Sequence, residues 1–143
     1  MSKFRFGKNS QKRLDTCHIL LQFLMKEVLS LGIVDFTIIC GHRTKESQDH
    51  AYHYGRSKLK WPQSKHNSLP SLAIDIVPWI NGEISFSRNH SIFLAGIVMG
   101  IAKKEKIPIR WGGNWDMDEE VITDQSFQDL LHFELMENRN EDN

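Results

Sequence analysis

The sequence is poor in cysteine, carries no excess charge of either sign and has no apolar run of membrane-spanning length. Its two cysteines, Cys17 and Cys40, lack CxxC spacing, and each lies in an apolar segment. We therefore expect two buried free thiols, no disulfide and folding in a reducing compartment. A chain of 143 residues is long enough to bury a core of its own as one domain without such cross-links.

Charge and hydropathy exclude two further classes of protein. Eighteen basic side chains balance eighteen acidic ones, so we expect no general nucleic-acid partner. The most apolar run, residues 92–102, is too short for a membrane helix and predicts a buried core helix whose Gly96 and Gly100 permit close packing. The N-terminal segment lacks the apolar stretch of a signal peptide. We therefore expect a protein made in the cytoplasm that does not insert into a membrane.

Helical and strand patterns alternate along the chain. Apolar spacing predicts helices over about 11–31, 45–55 and 88–105. Apolar and β-branched segments predict strands at 35–40, 71–77, 109–111 and about 130–135. This order indicates an α+β fold, in which helices pack on a small, largely antiparallel sheet. We expect one domain over residues 1–136 and a flexible, polar tail at 137–143.

Capping and turn residues predict where these elements begin and end. Ser10 and Thr44 are expected to cap the first two helices, because their hydroxyl groups can accept from free backbone N–H groups. Pro78 is expected to end the strand at 71–77. Asn81-Gly82 favours a tight hairpin turn between two short strands.

Seven histidines stand out, and two of them combine with one aspartate in a metal-ligand pattern. Asp75 lies within a predicted buried strand, where a carboxylate needs a cation, hydrogen-bond donors or a metal. His66 lies in the loop leading into that strand, and His132 lies in the terminal strand. Each residue alone is compatible with a purely structural role. Together they form a His/Asp/His set, which suits a catalytic zinc ion with its fourth position left for water.

Asp129 stands three residues before His132 and gives the pattern D-x-x-H. A carboxylate just before a ligand strand can reach the attacking water without binding the metal. That placement is the geometry required of a general base.

Four segments in this order carry a resemblance to a known family. They are GHRT (41–44), SKHNSLPSLAIDIVP (64–78), WGGNW (111–115) and DLLHFE (129–134). The combination resembles the zinc D,D-carboxypeptidase and L-alanyl-D-glutamate peptidase family. Members of that family cut the peptide part of bacterial cell walls, and many phage endolysins belong to it. The resemblance extends over most of the chain, from the N-terminal KFRFGKNS segment to the HFE segment.

The resemblance implies a zinc peptidase domain over residues 1–136 with Zn²⁺ in a cleft. It implies zinc ligands at His66, Asp75 and His132, with Asp129 as the catalytic base. It also implies that Arg43 binds the scissile carbonyl and stabilises the developing oxyanion. A fixed guanidinium beside the metal would favour negative charge on that oxygen, which agrees with this role.

The chain departs from the family pattern in two places. Eight residues separate His66 from Asp75, more than in many members, so a longer loop must bring His66 to the metal. The base is Glu in some branches, whereas Asp129 is one methylene shorter, so its segment must lie closer. Neither departure removes a ligand or the base. This argues against a degenerate family member that binds without catalysing hydrolysis.

Several other polar residues are candidates for a role at the site, and most of them have two interpretations. Gln48 is expected to line the substrate groove, and Trp115 either contacts substrate or packs the site. His50 and His53 are i,i+3 neighbours that could bind a metal or simply lie on an exposed helix face. The acidic residues of 116–120 could hold calcium or form a solvated loop.

A basic loop follows the second predicted helix. It contains Arg56, Lys58, Lys60 and Lys65. These residues could attract an anionic wall polymer or form an ordinary solvated loop.

The expected function is therefore zinc-dependent hydrolysis of an amide bond in the stem peptides of bacterial peptidoglycan. An L-alanyl-D-glutamate endopeptidase is favoured, acting as a monomeric phage endolysin with antimicrobial activity. Such an enzyme would be made in the host cytoplasm without a signal peptide and would reach the wall after another protein permeabilises the membrane. The alternatives are a D,D-carboxypeptidase that releases terminal D-Ala with the same residues, and a non-catalytic, zinc-stabilised wall-binding module.

Overall fold

The computed structural model describes residues 2–120 and 129–137 of the chain. The helices are α1 (Lys8–Leu14), α2 (Ile19–Ser30), α3 (Lys45–His53) and α4 (Arg88–Lys104), with a 3-10 turn at Lys65–Asn67. The strands are β1 (Asp35–Cys40), β2 (Ala73–Ile80), β3 (Glu83–Ile84), β4 (Ile109–Trp111) and β5 (His132–Leu135). This combination confirms the predicted α+β class.

β2 is the central strand of an antiparallel sheet with the order β1-β2-β5-β4, and β3 pairs with the far end of β2. Ala73 and Val77 lie on one face of β2 and Ile74 and Ile76 on the other, and all four are buried. Asp75 interrupts this apolar run. The strand therefore carries one carboxylate into the interior of the protein.

The helices hold the sheet in place through one apolar core. α2 packs against α4, α4 contacts β2 and β4, and α1 packs against β1. The helical part of the core includes Leu21, Leu24 and Val28 of α2 and Leu94 and Val98 of α4. Their spacing of three or four residues places them on one face of each helix. This packing fixes the strands from which the polar side chains described below project.

The predicted helix over 11–31 is in fact two helices, because residues 15–18 bond elsewhere. The amide of Ser71 donates to the carbonyl of Thr16 at 2.8 Å, and the amide of His18 donates to the carbonyl of Ser71 at 2.9 Å. These bonds join the break to the segment just before β2. The periodicity predicted one helix because apolar Leu14 and Cys17 continue the helical spacing through the break.

Ser10 does not cap a helix, contrary to the prediction. It lies within α1, is buried, and its hydroxyl oxygen accepts from the amide of Ile38 in β1 at 3.1 Å. His18 caps α2 instead, since its Nδ1 accepts from the amide of Leu20 at 3.1 Å. The predicted cap of α3 is confirmed, because the hydroxyl of Thr44 accepts from the amide of Ser47 at 3.2 Å.

The end of β2 differs from the prediction, whereas the turn after it does not. The strand passes through Pro78 and ends at Ile80. Proline lacks only the amide donor at this position, since its carbonyl still accepts from the amide of Ser85 at 2.8 Å, just past the end of β3. Asn81 and Gly82 both have positive φ values, 51° and 83°, as a two-residue hairpin turn requires.

Three further expectations concern the cysteines, membrane helices and the C-terminal tail. Both cysteines are free, and Cys17 is buried as expected, but Cys40 is only half-buried. Among the described residues, no helix is long and apolar enough to cross a membrane. Residues 138–143 of the predicted flexible tail lie outside the described part of the chain.

α4 is an amphipathic helix, not one buried on all sides. Gly96 and Gly100 lie on its exposed face, and a Cβ atom added at either position would meet no other atom within 4 Å. The predicted role of these glycines in close packing is therefore wrong. The helix buries Leu94, Ala95 and Val98 instead.

Replacing Gly96 with alanine should stabilise the protein by about 0.5–1 kcal/mol, because alanine restricts the unfolded chain and meets no obstacle here. Chemical denaturation at equilibrium measures this change. Gly41→Ala is a matched control that should destabilise, since its Cβ would overlap the carbonyl oxygen of Arg13. A loss of stability in Gly96→Ala would show that this glycine packs closely after all.

Candidate metal centre

The pairing of β2 with β5 places Asp75 directly opposite His132. His66 approaches from the 3-10 turn Lys65–Asn67, which a capping box holds in place. In that box the hydroxyl of Ser64 accepts from the amide of His66 at 3.2 Å, and the side chain of Asn67 accepts from the amide of Ser64 at 3.1 Å. The longer loop before Asp75 therefore still delivers His66 to the same place.

Both histidines point a ring nitrogen at one oxygen of Asp75. Oδ1 of Asp75 lies 3.2 Å from Nε2 of His66 and 3.0 Å from Nδ1 of His132. The two imidazole rings are 5.1 Å apart, and all three side chains are largely buried. The structure thus brings together the three residues that the sequence predicts as metal ligands.

The opposite ring nitrogens are also fixed by the protein. Nδ1 of His66 lies 2.7 Å from the carbonyl oxygen of Gly41, and Nε2 of His132 lies 2.9 Å from Oε1 of Glu134. Such outer contacts orient histidine ligands and make them more basic. Two oriented imidazoles and one carboxylate are the donor types that zinc takes in catalytic sites, so these residues fit a zinc ion.

Possible metal-ligand atoms form two overlapping groups in the described part of the chain. One contains Cys40, His66 and Asp75, and the other contains Asp75, Asp129 and His132. Within each group the ligand atoms lie within 4.8 Å of one another. Asp75 belongs to both groups. A metal held by His66 and His132 would therefore have to draw both histidines together around Asp75.

Asp75 and the two histidines stabilise the charged forms of one another. Burial disfavours the charged form of both histidines. Asp75 outweighs this effect at His66 and raises its pKa to about 10, and Asp75 together with Glu134 raises the pKa of His132 to about 9. Burial alone would raise the pKa of Asp75, whereas its interactions with the two histidines hold that pKa far below the ordinary value. Without metal, the centre is a carboxylate between two imidazolium groups.

Asp129 lies beside this centre, and Gly112 determines how close it comes. The amide of Asp129 donates to the carbonyl of Gly112 at 2.9 Å, and a Cβ atom at Gly112 would overlap the carbonyl oxygen of Asp129. The first glycine of WGGNW therefore makes room for the aspartate. Burial and the negative charge of Asp75 raise the pKa of Asp129. A raised pKa suits a group that accepts a proton and then returns it.

Arg43 reaches the same centre from the segment between β1 and α3. Its Nη2 lies 3.8 Å from Oδ2 of Asp75, and its amide donates to the carbonyl of His66 at 2.7 Å. Its Nη1 donates to Oε1 of Gln48 at 2.9 Å. The guanidinium is thereby held next to the predicted ligands.

Gln48 does not line the pocket surface as predicted. Its side chain is 0% exposed. Its Oε1 accepts from Arg43 and Asn67, and its Nε2 donates to the hydroxyl of Ser57 at 2.9 Å and to the carbonyl of Leu59 at 2.7 Å. The geometry thus gives Gln48 a positioning role, because it orients Arg43 and anchors the loop that follows α3.

The sequence interpretation missed the role of Glu134. This buried carboxylate contacts His132, accepts from Nη2 of Arg110 at 2.9 Å and lies 3.3 Å from Nζ of Lys65. Burial would raise the pKa of Glu134, but the bond with His132 and the nearby cations lower it to about 2. A carboxylate with a lowered pKa is a poor proton acceptor, so Glu134 is not a candidate for the catalytic base. Its position two residues after His132, on the same face of β5, was the available signal.

The centre opens into a pocket of about 400 Å³. Trp115 lines this pocket, with its ring 5.4 Å from that of His132 and 5.2 Å from the guanidinium of Arg110. It therefore packs against a predicted ligand and also faces the space where substrate would lie. Arg56 and Lys58 line the same pocket.

Other candidate residues are not brought to this centre. Nδ1 of His50 lies 2.5 Å from Nη2 of Arg56, and the rings of His50 and His53 both contact Tyr54. The acidic residues of 116–120 are exposed. In the described part of the chain, neither set belongs to a group of three possible metal ligands.

Comparisons with known proteins place the chain in one family. The family model described as phage L-alanyl-D-glutamate peptidase matches residues 1–136. The chain belongs to this family. It is 37% identical over 114 residues to the L-alanyl-D-glutamate peptidase of Escherichia phage T5, a match covering 79% of this chain and 82% of that protein. It is similar to the crystal structure of the L-Ala D-Glu endopeptidase ChiX of Serratia marcescens, with a TM-score of 0.75 and 26% identity over 92% of this chain and 90% of that one.

These matches confirm the resemblance inferred from the four segments and identify the chain as a peptidase. They leave the roles of individual residues as predictions. Those roles are supported here by the geometry around Asp75.

The metal-free protein should lose stability as the pH rises above about 6.5. Folded histidines with raised pKa values contribute stability below their ordinary pKa of 6.5, and that contribution is lost as the pH passes through 9–10. Asp75 contributes above its ordinary pKa of 3.8, and its contribution is lost below that pH. Melting temperatures in the presence of a chelator should therefore peak between these limits, whereas a melting temperature that rises from pH 6.5 to 9.5 would contradict the charge arrangement.

Glu134→Gln should weaken zinc binding by about 10–100-fold, because it removes the carboxylate that orients His132. Competition with a metal indicator measures the affinity directly. Glu105→Gln, at the exposed end of α4, is a control with the same change in charge and should leave the affinity unchanged. Equal zinc affinities for Glu134→Gln and the unmodified protein would show that this contact does not orient the ligand.

Proposed function

We propose that this chain is a zinc-dependent endopeptidase that cuts the L-alanyl-D-glutamate bond in the stem peptides of bacterial peptidoglycan. The convergence of His66 and His132 on Asp75, with the far nitrogen of each imidazole fixed by the protein, is the observation that carries the proposal. Membership of the phage peptidase family supports the choice of bond.

His66, Asp75 and His132 would hold the zinc ion. When bound, zinc supplies a Lewis acid that polarises a carbonyl oxygen and acidifies water. Cys40 is a rival ligand, since its Sγ lies 3.6 Å from Nδ1 of His66. We assign it no metal bond, because that nitrogen already contacts the carbonyl of Gly41 at 2.7 Å.

Asp129 and Arg43 would perform the proton transfer and charge stabilisation. Asp129 takes a proton from the attacking water and later returns it to the leaving amine of D-Glu. Burial and the charge of Asp75 raise the pKa of Asp129, which favours its acceptance of a proton. Arg43, oriented by Gln48, donates to the carbonyl oxygen as negative charge develops there.

We further propose that the enzyme acts as an endolysin and functions as a monomer. It would reach the wall from the host cytoplasm once another protein has permeabilised the membrane. The phage origin of the matched family supports this role.

Mass spectrometry of peptidoglycan fragments after digestion tests the proposed bond. The expected products carry a new L-Ala carboxyl group and a new D-Glu amine. Release of terminal D-Ala would instead show a D,D-carboxypeptidase. Binding to purified cell walls without any new ends would show a non-catalytic binding module.

Asp129→Asn should lower hydrolysis by at least about 10²-fold while zinc content and fold stay unchanged, because asparagine keeps the volume but cannot accept the proton. Turnover and elemental analysis should be measured on the same preparation. Asp129→Glu should keep partial activity if the cleft accommodates one more methylene. Loss of zinc from Asp129→Asn would show that Asp129 is a metal ligand. Full activity in this variant would show that another residue is the base.

A further inference from the structure

We propose that Arg56, on the wall of the metal pocket, binds the free carboxylate of the glutamate residue that follows the scissile bond. This inference rests on the proposed function and names a specificity contact for it. Arg56 lines the same pocket as His66, Asp75 and His132.

The backbone that carries Arg56 is held firmly. The amides of Arg56 and Ser57 both donate to the carbonyl of Ala51 in α3, at 2.8 and 3.1 Å. Gln48 then holds the hydroxyl of Ser57 and the carbonyl of Leu59. Because Gln48 also orients Arg43, one buried amide fixes the spacing between the loop of Arg56 and the catalytic centre. A specificity contact needs such a fixed distance.

The charge of Arg56 is available to a ligand, whereas three other cations of the pocket lie beside carboxylates. Lys65 and Arg110 share the carboxylate of Glu134, and Arg43 lies beside Asp75. The side chain of Arg56 contacts Nδ1 of His50 at 2.5 Å. Within the described part of the chain, no carboxylate forms a salt bridge with it. This pocket wall therefore keeps a positive charge that an anionic substrate group can neutralise.

The proposed substrate supplies such an anionic group close to the reacting bond. Glutamate carries two carboxyl groups, and a linear stem peptide uses only one of them for the next peptide bond. The other stays ionised on the residue immediately after the scissile amide. The planar fork of an arginine matches a carboxylate better than a lysine does, because it can donate two parallel hydrogen bonds. Arg56 is thus suited to select glutamate at this position.

The test compares two synthetic stem peptides that differ only in whether this free carboxylate is an acid or a carboxamide. The unmodified enzyme should have a KM about tenfold lower for the acid peptide, with a similar kcat. Arg56→Gln should raise the KM for the acid peptide by a similar factor and leave the amide peptide unchanged. Arg56→Lys should recover part of the loss. Lys104→Gln, an exposed cation at the end of α4, is the charge-matched control and should change neither value.

Two results would overturn the inference and leave the proposed function intact. One is an equal loss on both peptides in Arg56→Gln, which would show a general effect on the fold or pocket. The other is an unmodified enzyme that cleaves both peptides with the same KM. An unmodified, zinc-loaded enzyme that cleaves neither peptide at the L-alanyl-D-glutamate bond would instead overturn the proposed function.

Discussion

The structure depends on how it compensates one buried carboxylate, that of Asp75 on the central strand β2. An unpaired charge in that position would cost several kcal/mol. The antiparallel register brings His132 opposite it, and a capped 3-10 turn brings His66 to the same oxygen. Two imidazolium groups satisfy the carboxylate in the metal-free protein, and zinc would take over that role when bound. The histidines that balance the charge of Asp75 are therefore the same residues that would bind the metal.

Around this centre, close backbone approaches set the positions of the reactive side chains. Gly41 has no room for a Cβ atom beside α1, and its carbonyl oxygen lies 2.7 Å from Nδ1 of His66. Gly112 leaves the same kind of space for the backbone of Asp129. Gln48 joins Arg43 to the loop after α3 through buried hydrogen bonds. Rigid supports of this kind let a small protein hold several polar groups in one cleft.

The sequence predicted the residues that converge on Asp75 better than the residues that hold them in position. His66, Asp75, His132 and Asp129 could be found because they lie in short segments with specific spacing. The contact of Glu134 with His132 follows from their spacing of two residues in one strand, whereas the bond from Arg110 to Glu134 depends on the pairing of β4 with β5, which no local pattern shows. Gln48 was expected at the groove, and no local pattern shows that it is buried, because glutamine is usually exposed. The break at residues 15–18 was hidden because its backbone partners lie at Ser71, far along the chain.

X-ray absorption at the zinc edge tests most directly whether His66, Asp75 and His132 bind the metal. We expect one zinc ion per chain, with only nitrogen and oxygen neighbours at about 2.0–2.2 Å and the scattering pattern of two imidazoles. A sulfur neighbour at about 2.3 Å would place the ion on Cys40, in the other group of possible ligands around Asp75. That result, or an active protein without stoichiometric zinc, would contradict the proposed centre.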